Sequence, residues 1–152
     1  MSKKQQRDLE LFIVDLFVAI FQVKHYTKDF KTQDDFRHSS LHWDASIRQL
    51  EIIGEALNKL LEDDSFNAVS PKYFRKIVNF RNAINHGYFG IDAYEVWNVI
   101  QEKLDILHDD LTIIVNENFD LEIAIQTSLD EYKALEETSI VKLLLGLQRT
   151  KI

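Results

Sequence analysis

Cysteine is absent from this chain of 152 residues, which excludes a disulfide framework, a cysteine nucleophile and any thiolate zinc or iron–sulfur site. A reducing, cytoplasmic setting is expected. Proline occurs once and glycine four times, too few turn-formers for a many-stranded sheet but ample for long helices. No long apolar run occurs either. The most apolar stretch, residues 11–23, falls short of the roughly 18 residues that a spanning helix needs and contains Asp15, so no membrane association is expected. No secretory leader is expected, since Met1 to Arg7 leads into Asp8 and Glu10 without a small-residue cleavage site. Basic residues are outnumbered 18 to 25, giving a net charge of −7, which argues against coating nucleic acid by overall charge. Only a local basic patch could bind a polyanion.

What is present is helical periodicity. Leu9, Phe12, Ile13, Leu16, Phe17, Ile20 and Phe21 recur at spacings of three and four, predicting a helix over about 4–28. Its apolar stripe is wide enough to need cover on more than one side, from bundle neighbours or from a second subunit. Asp8, Asp15 and Gln22 form a narrow polar edge facing solvent or a subunit groove. After a polar break over 32–38, Ser39 or Ser40 can cap a second helix reaching Glu62. Ile47, Leu50, Ile53, Leu57, Leu60 and Leu61 form its buried face. Asp44, Arg48, Glu51 and Glu55 read as a solvated stripe, and Gly54 would let another helix approach closely. Residues 62–68 read as a loop. Ser70 and Pro71 suit the start of a third helix, with serine as cap, running to about 85–87. A fourth helix over about 94–116 completes a bundle, and residues from 120 onward read as one or two further helices that complete the core or embrace a partner. The expected architecture is an all-α up-and-down bundle of four to six helices, with residues 1–117 as its body and 118–152 as a C-terminal extension of the same domain.

Between Ser65 and Ile91 the chain has Lys72, Arg75, Lys76 and Arg81 but no acid, a basic island suited to phosphate. Near its end stands Arg81-Asn82-Ala83-Ile84-Asn85-His86-Gly87-Tyr88. On a continuous helix, Arg81 and His86 would point about 140° apart, so they converge only if the helix ends beside His86, where Gly87 supplies the stop. A histidine there feels the negative end of the helix dipole, which favours its protonated form, and can serve as acid or base.

This string fits the R-x4-H-x-Y motif and resembles HEPN-superfamily proteins of the HepT-like ribonuclease toxin family. The likeness extends to Ile52-Ile53-Gly54-Glu55-Ala56, Gly90-Ile91-Asp92 and Val96-Trp97, over roughly residues 5–117. It implies a homodimeric helical bundle with both motifs at the two-fold interface, acting as a metal-independent endoribonuclease of a toxin–antitoxin module. The implied partner is an MNT-type nucleotidyltransferase antitoxin that can transfer AMP to the motif tyrosine, here Tyr88. Arg81 and His86 match the family's catalytic pair, with Asn82 at the polar position beside them. Lys72, Arg75 and Lys76 are candidate RNA-phosphate contacts, and neither metal nor cofactor is expected.

RNA cleavage by an internal 2′-hydroxyl needs a base, an acid and positive charge on the phosphorane oxygens. One motif has one imidazole, whereas a two-fold dimer would bring two His86 and two Arg81 into one cleft. Two other readings compete: a non-catalytic substrate-binding or adapter subunit of a nucleotidyltransferase, and a helical dimer in which Arg81 and His86 only pair with carboxylates. His38 and His42, four apart, have metal-ligand spacing, but the intervening serines suggest a cap. His25 and His108 read as structural or exposed. Trp43 and Trp97 read as core or interface anchors, and no spacing demands that Asp15, Glu51 or Glu55 neighbour Arg81.

Overall fold

A computed structural model describes residues 2–86, 90–135 and 137–150, with His86 described through its backbone only. Among these residues all regular structure is helical. The first helix, α1 (Lys3–Thr27), starts at a capping box in which Ser2 and Gln5 satisfy each other's backbone donors. A short α2 (Gln33–Arg37) precedes α3 (Ser40–Leu61), which packs along α1. The two run antiparallel, for Gln5, Asp8, Leu9 and Phe12 share a groove with Lys59, Glu62 and Asp63 at the far end of α3. Then follow α4 (Asp64–Val69), α5 (Tyr73–His86) and α6 (Ala93–Asn98). A π-helical turn, Val99–Lys103, leads directly into α7 (Leu104–Asn118). Helices α8 (Glu122–Ala134) and α9 (Thr138–Thr150) close the chain.

The wide stripe of α1 is covered from several sides within one chain. Ile13, Val14, Leu16, Phe17, Ile20 and Val23 are buried beneath α3, α7 and α8, and α9 also touches α1. The breadth of this stripe therefore requires no second subunit. On its polar edge Asp8 and Asp15 are exposed, and Asp15 titrates above the usual carboxylate range through partial desolvation and then the charge of Glu131 on α8.

Two stretches expected to be irregular are short helices, each organised by one buried aromatic ring. Thr32 accepts from the Asp35 amide to cap α2, and Phe36 is fully buried with its ring 5.3 Å from Trp43 and 5.5 Å from Trp97. Likewise Asp63 caps α4 through the Phe66 amide at 2.9 Å, and Phe66 is fully buried. Helices of five or six residues show no periodicity, and burial of one ring stabilises them more than intrinsic propensity does. Replacing a buried Phe by Ala costs about 3–5 kcal/mol. Phe36→Ala is accordingly expected to lower unfolding free energy by about that amount in urea titrations, since it unpins α2 from both α3 and α6.

Two more expectations change. Ser70 does not cap α5, because its hydroxyl donates back to the Phe66 carbonyl at 2.6 Å and so closes α4. The expected fourth helix is divided by the π turn, where Lys24 of α1 lies 3.5 Å from the Ile100 carbonyl and 3.2 Å from an Asp105 carboxylate oxygen.

Candidate active site

Helix α5 carries the basic island and is fixed to the bundle at three levels. At its start the Tyr73 hydroxyl donates to Asp110 Oδ2 of α7 at 2.5 Å. Burial, then this hydrogen bond and the charges of Asp110 and Asp109, hold the phenol well above its usual range, so it remains a donor. Two residues later Arg75 Nη1 donates to Asn58 Oδ1 of α3 at 3.3 Å. Farther on, Arg81 crosses α3 at Gly54, where an added Cβ would overlap Arg81 Cβ and Cγ and lie 3.4 Å from its Cδ. The order of these contacts, 75 to 58 and 81 to 54, makes α5 antiparallel to α3. Phe74, Ile77, Val78 and Ile84 bury the same face. Lys72, Arg75, Lys76, Asn79 and Asn82 are exposed.

Arg81 thus begins as a packing residue and ends as a polar one. Its stem lies against α3, its Nε is buried and makes no hydrogen bond among the described residues, and Nη1 donates to Asn82 Oδ1 at 2.9 Å. Among the described residues no carboxylate pairs with the guanidinium: Glu51 pairs with Arg48 at 3.3 Å, and Asp15 belongs to the α1–α8 contact. That counts against Arg81 as half of a structural ion pair within the chain.

Helix α5 runs through His86, so its backbone remains helical from Arg81 to the histidine. The convergence of the two side chains, and the position of Tyr88, fall outside the described residues. Beyond them Gly90 adopts φ +100°, a conformation that favours glycine, and Asp92 caps α6 by accepting from Tyr94 and Glu95 amides at 2.9 and 3.4 Å.

The other histidines lie elsewhere. His38 ends α2 with Nδ1 2.7 Å from the Asp34 carbonyl, whereas His42 lies on α3 with Nδ1 2.7 Å from Ser39 Oγ. Different helices therefore carry the two rings, and each has a local partner. His25 stacks on Phe21 and His108 packs edge-on against Phe17. Trp43 is buried under the Arg37 guanidinium, and Trp97 is half-buried against Phe36. A cavity of about 500 Å³ opens between α7, α8 and α9, but no residue of α3 or α5 lines it. No described helix is long and apolar enough to cross a membrane.

A helical bundle with this motif at the end of its basic helix is a protein of the HEPN class. The chain belongs to the HepT-like ribonuclease family, whose model, described as "Ribonuclease HepT-like", matches residues 16–114. It is 32% identical over 114 residues to "Gamma-glutamylcyclotransferase and putative RNase MJ0434" of Methanocaldococcus jannaschii, covering 74% of this chain and 50% of that one. The chain therefore spans half the length of that relative. "Putative RNase MJ1380" of the same organism is 30% identical over 114 residues, covering 75% of this chain and all of the relative. "Probable ribonuclease HepT" of Thermococcus cleftensis is 28% identical over 106 residues, covering 69% and 91%. No solved structure matches the chain significantly.

Proposed function

We propose that this protein is a metal-independent endoribonuclease, the toxin of a HepT/MntA-type toxin–antitoxin module. The observation that carries this reading is the state of Arg81: it is clamped at its stem, free of carboxylate partners among the described residues, and set on an acid-free helix with Lys72, Arg75 and Lys76 exposed. An arginine serving only to hold the fold would be expected to meet a carboxylate. Membership of a ribonuclease family and the names of its relatives support the same reading.

In this mechanism the chain works as a homodimer with the motifs of both protomers in one cleft. His86 of one protomer takes the proton of a ribose 2′-hydroxyl, whose oxygen attacks the adjacent phosphorus. His86 of the other protonates the departing 5′-oxygen. Arg81 binds the phosphorane oxygens through its planar fork, Asn82 orients that fork, and Lys72, Arg75 and Lys76 hold flanking phosphates. The products are a 2′,3′-cyclic phosphate and a 5′-hydroxyl. Residues 118–152 extend the same domain, and the partner is an MNT-type nucleotidyltransferase antitoxin acting on Tyr88.

The test is to incubate the purified chain with total RNA in excess EDTA and to analyse the fragment ends. Cleavage is expected to persist and to leave cyclic phosphates. Loss of cutting on chelation, restored by a divalent cation, would overturn metal independence. RNA binding without any cutting would instead assign the chain an adapter role.

A further inference from the structure

We propose that Gly54 is a positioning residue for Arg81: the missing side chain on α3 is the seat that lays the arginine stem across the helix and presents its terminal nitrogens outward. This deepens the ribonuclease reading and rests on it. Three observations meet at this contact. Gly54 is buried in the middle of α3, where glycine is the least favourable residue after proline, so helix formation alone gives no reason for it. A Cβ there would overlap the Cβ and Cγ of Arg81, atoms close to the α5 backbone that cannot swing aside as a flexible tip can. Beyond the overlap, Nε is buried without a partner among the described residues while Nη1 reaches Asn82 Oδ1 at 2.9 Å, so the guanidinium is approachable through its Nη end.

The consequence is geometric. With the stem laid on α3, rotation about the inner side-chain bonds is blocked on one side, and Asn82 fixes the outer end. An alanine at 54 pushes α5 outward, because no rotation of the Arg81 side chain moves its Cβ out of the overlap, and the guanidinium shifts with the helix. Misplacing a catalytic group by about 1 Å can cost about 10²-fold in rate. The loss falls on kcat, because RNA affinity rests mainly on Lys72, Arg75 and Lys76, which Gly54 does not touch. Gly146 on α9 provides the control, since a Cβ there meets nothing within 4 Å.

The experiment compares wild type, Gly54→Ala, Gly146→Ala and His86→Ala in steady-state cleavage of one defined RNA over a range of its concentrations. Thermal unfolding of Gly54→Ala is then measured in the Arg81 and Arg81→Gly backgrounds. Gly54→Ala is expected to lose about 10²-fold in kcat with KM changed only a few-fold, while Gly146→Ala cuts as wild type does. Its Tm is expected to fall in the Arg81 background and to stay level or rise in the Arg81→Gly background, where the overlapping atoms are gone. Should Gly54→Ala alone fail to fold and the double variant fold, the seat is supported on the same grounds. If both fail to fold, or the Tm loss is equal in both backgrounds, Arg81 is not what Gly54 makes room for and the proposal falls. Wild-type kcat in a folded Gly54→Ala overturns it too. A wild type that leaves RNA intact overturns the ribonuclease reading instead, and the Tm comparison still decides whether the seat exists.

Discussion

His86→Ala is expected to lose about 10²–10⁴-fold in RNA cleavage while keeping the helical content and unfolding temperature of the wild type, because removing one positioned acid–base group typically costs that much. The α5 backbone is held upstream by Tyr73 on Asp110, Arg75 on Asn58 and Arg81 on Gly54, and none of these contacts involves the histidine. Arg81→Lys is expected to be impaired as well, although it preserves the charge. An ammonium cannot donate to Asn82 and to two phosphate oxygens in one plane, even though lysine has the same Cβ, Cγ and Cδ to lay along α3. Full activity in His86→Ala would remove the imidazole from the site, and full activity in Arg81→Lys would remove the need for a fork. Circular dichroism of both variants separates lost chemistry from lost fold.

The long elements of this bundle are readable from spacing because each repeats its signal many times. Helix α1 carries apolar residues at intervals of three and four from Leu9 to Val23, about four turns, and α3 does the same from Leu50 to Leu61. A five-residue helix offers no such repetition. Phe36 and Phe66 are single apolar residues in polar surroundings, and what makes each a helix anchor is a cavity built by residues distant in sequence, such as Trp97 for Phe36. Ser70 shows a different limit: a serine before proline has cap chemistry in both directions, and its hydroxyl takes the carbonyl behind it. At the site, Arg81, Asn82 and His86 are legible because they crowd a single helix end. Tyr73, Asn58 and Asp110 are not, since their hydrogen bonds span 37 or 17 residues and no local pattern marks them. Gly54 lies between these cases. Spacing indicates that some helix approaches it, but only the fold identifies Arg81 as the residue that fills the space.

Transfer of AMP to Tyr88 is expected to silence cleavage, to the extent that the modified fraction of the protein leaves RNA intact. Tyr88 follows His86 by two residues in the sequence, in a segment from Ser65 to Ile91 that has four basic residues and no acid. Esterifying its hydroxyl would add a nucleotide and one phosphodiester charge two residues beyond His86 in the sequence. The attached phosphate would occupy Arg81 as a substrate phosphate does, and the adenosine would fill the approach, so inhibition requires no change of fold. Simple packing of the ring at the helix end makes the opposite prediction, because then the hydroxyl is dispensable to regulation. Co-expression with an MNT-type nucleotidyltransferase, followed by intact-mass and peptide mass spectrometry, distinguishes the two. An AMP mass increment on Tyr88, absent from Tyr88→Phe, together with escape of the Phe variant from neutralisation, is the expected result. Neutralisation of Tyr88→Phe as complete as that of wild type would show that the partner silences the protein by tight binding, with the tyrosine left to pack.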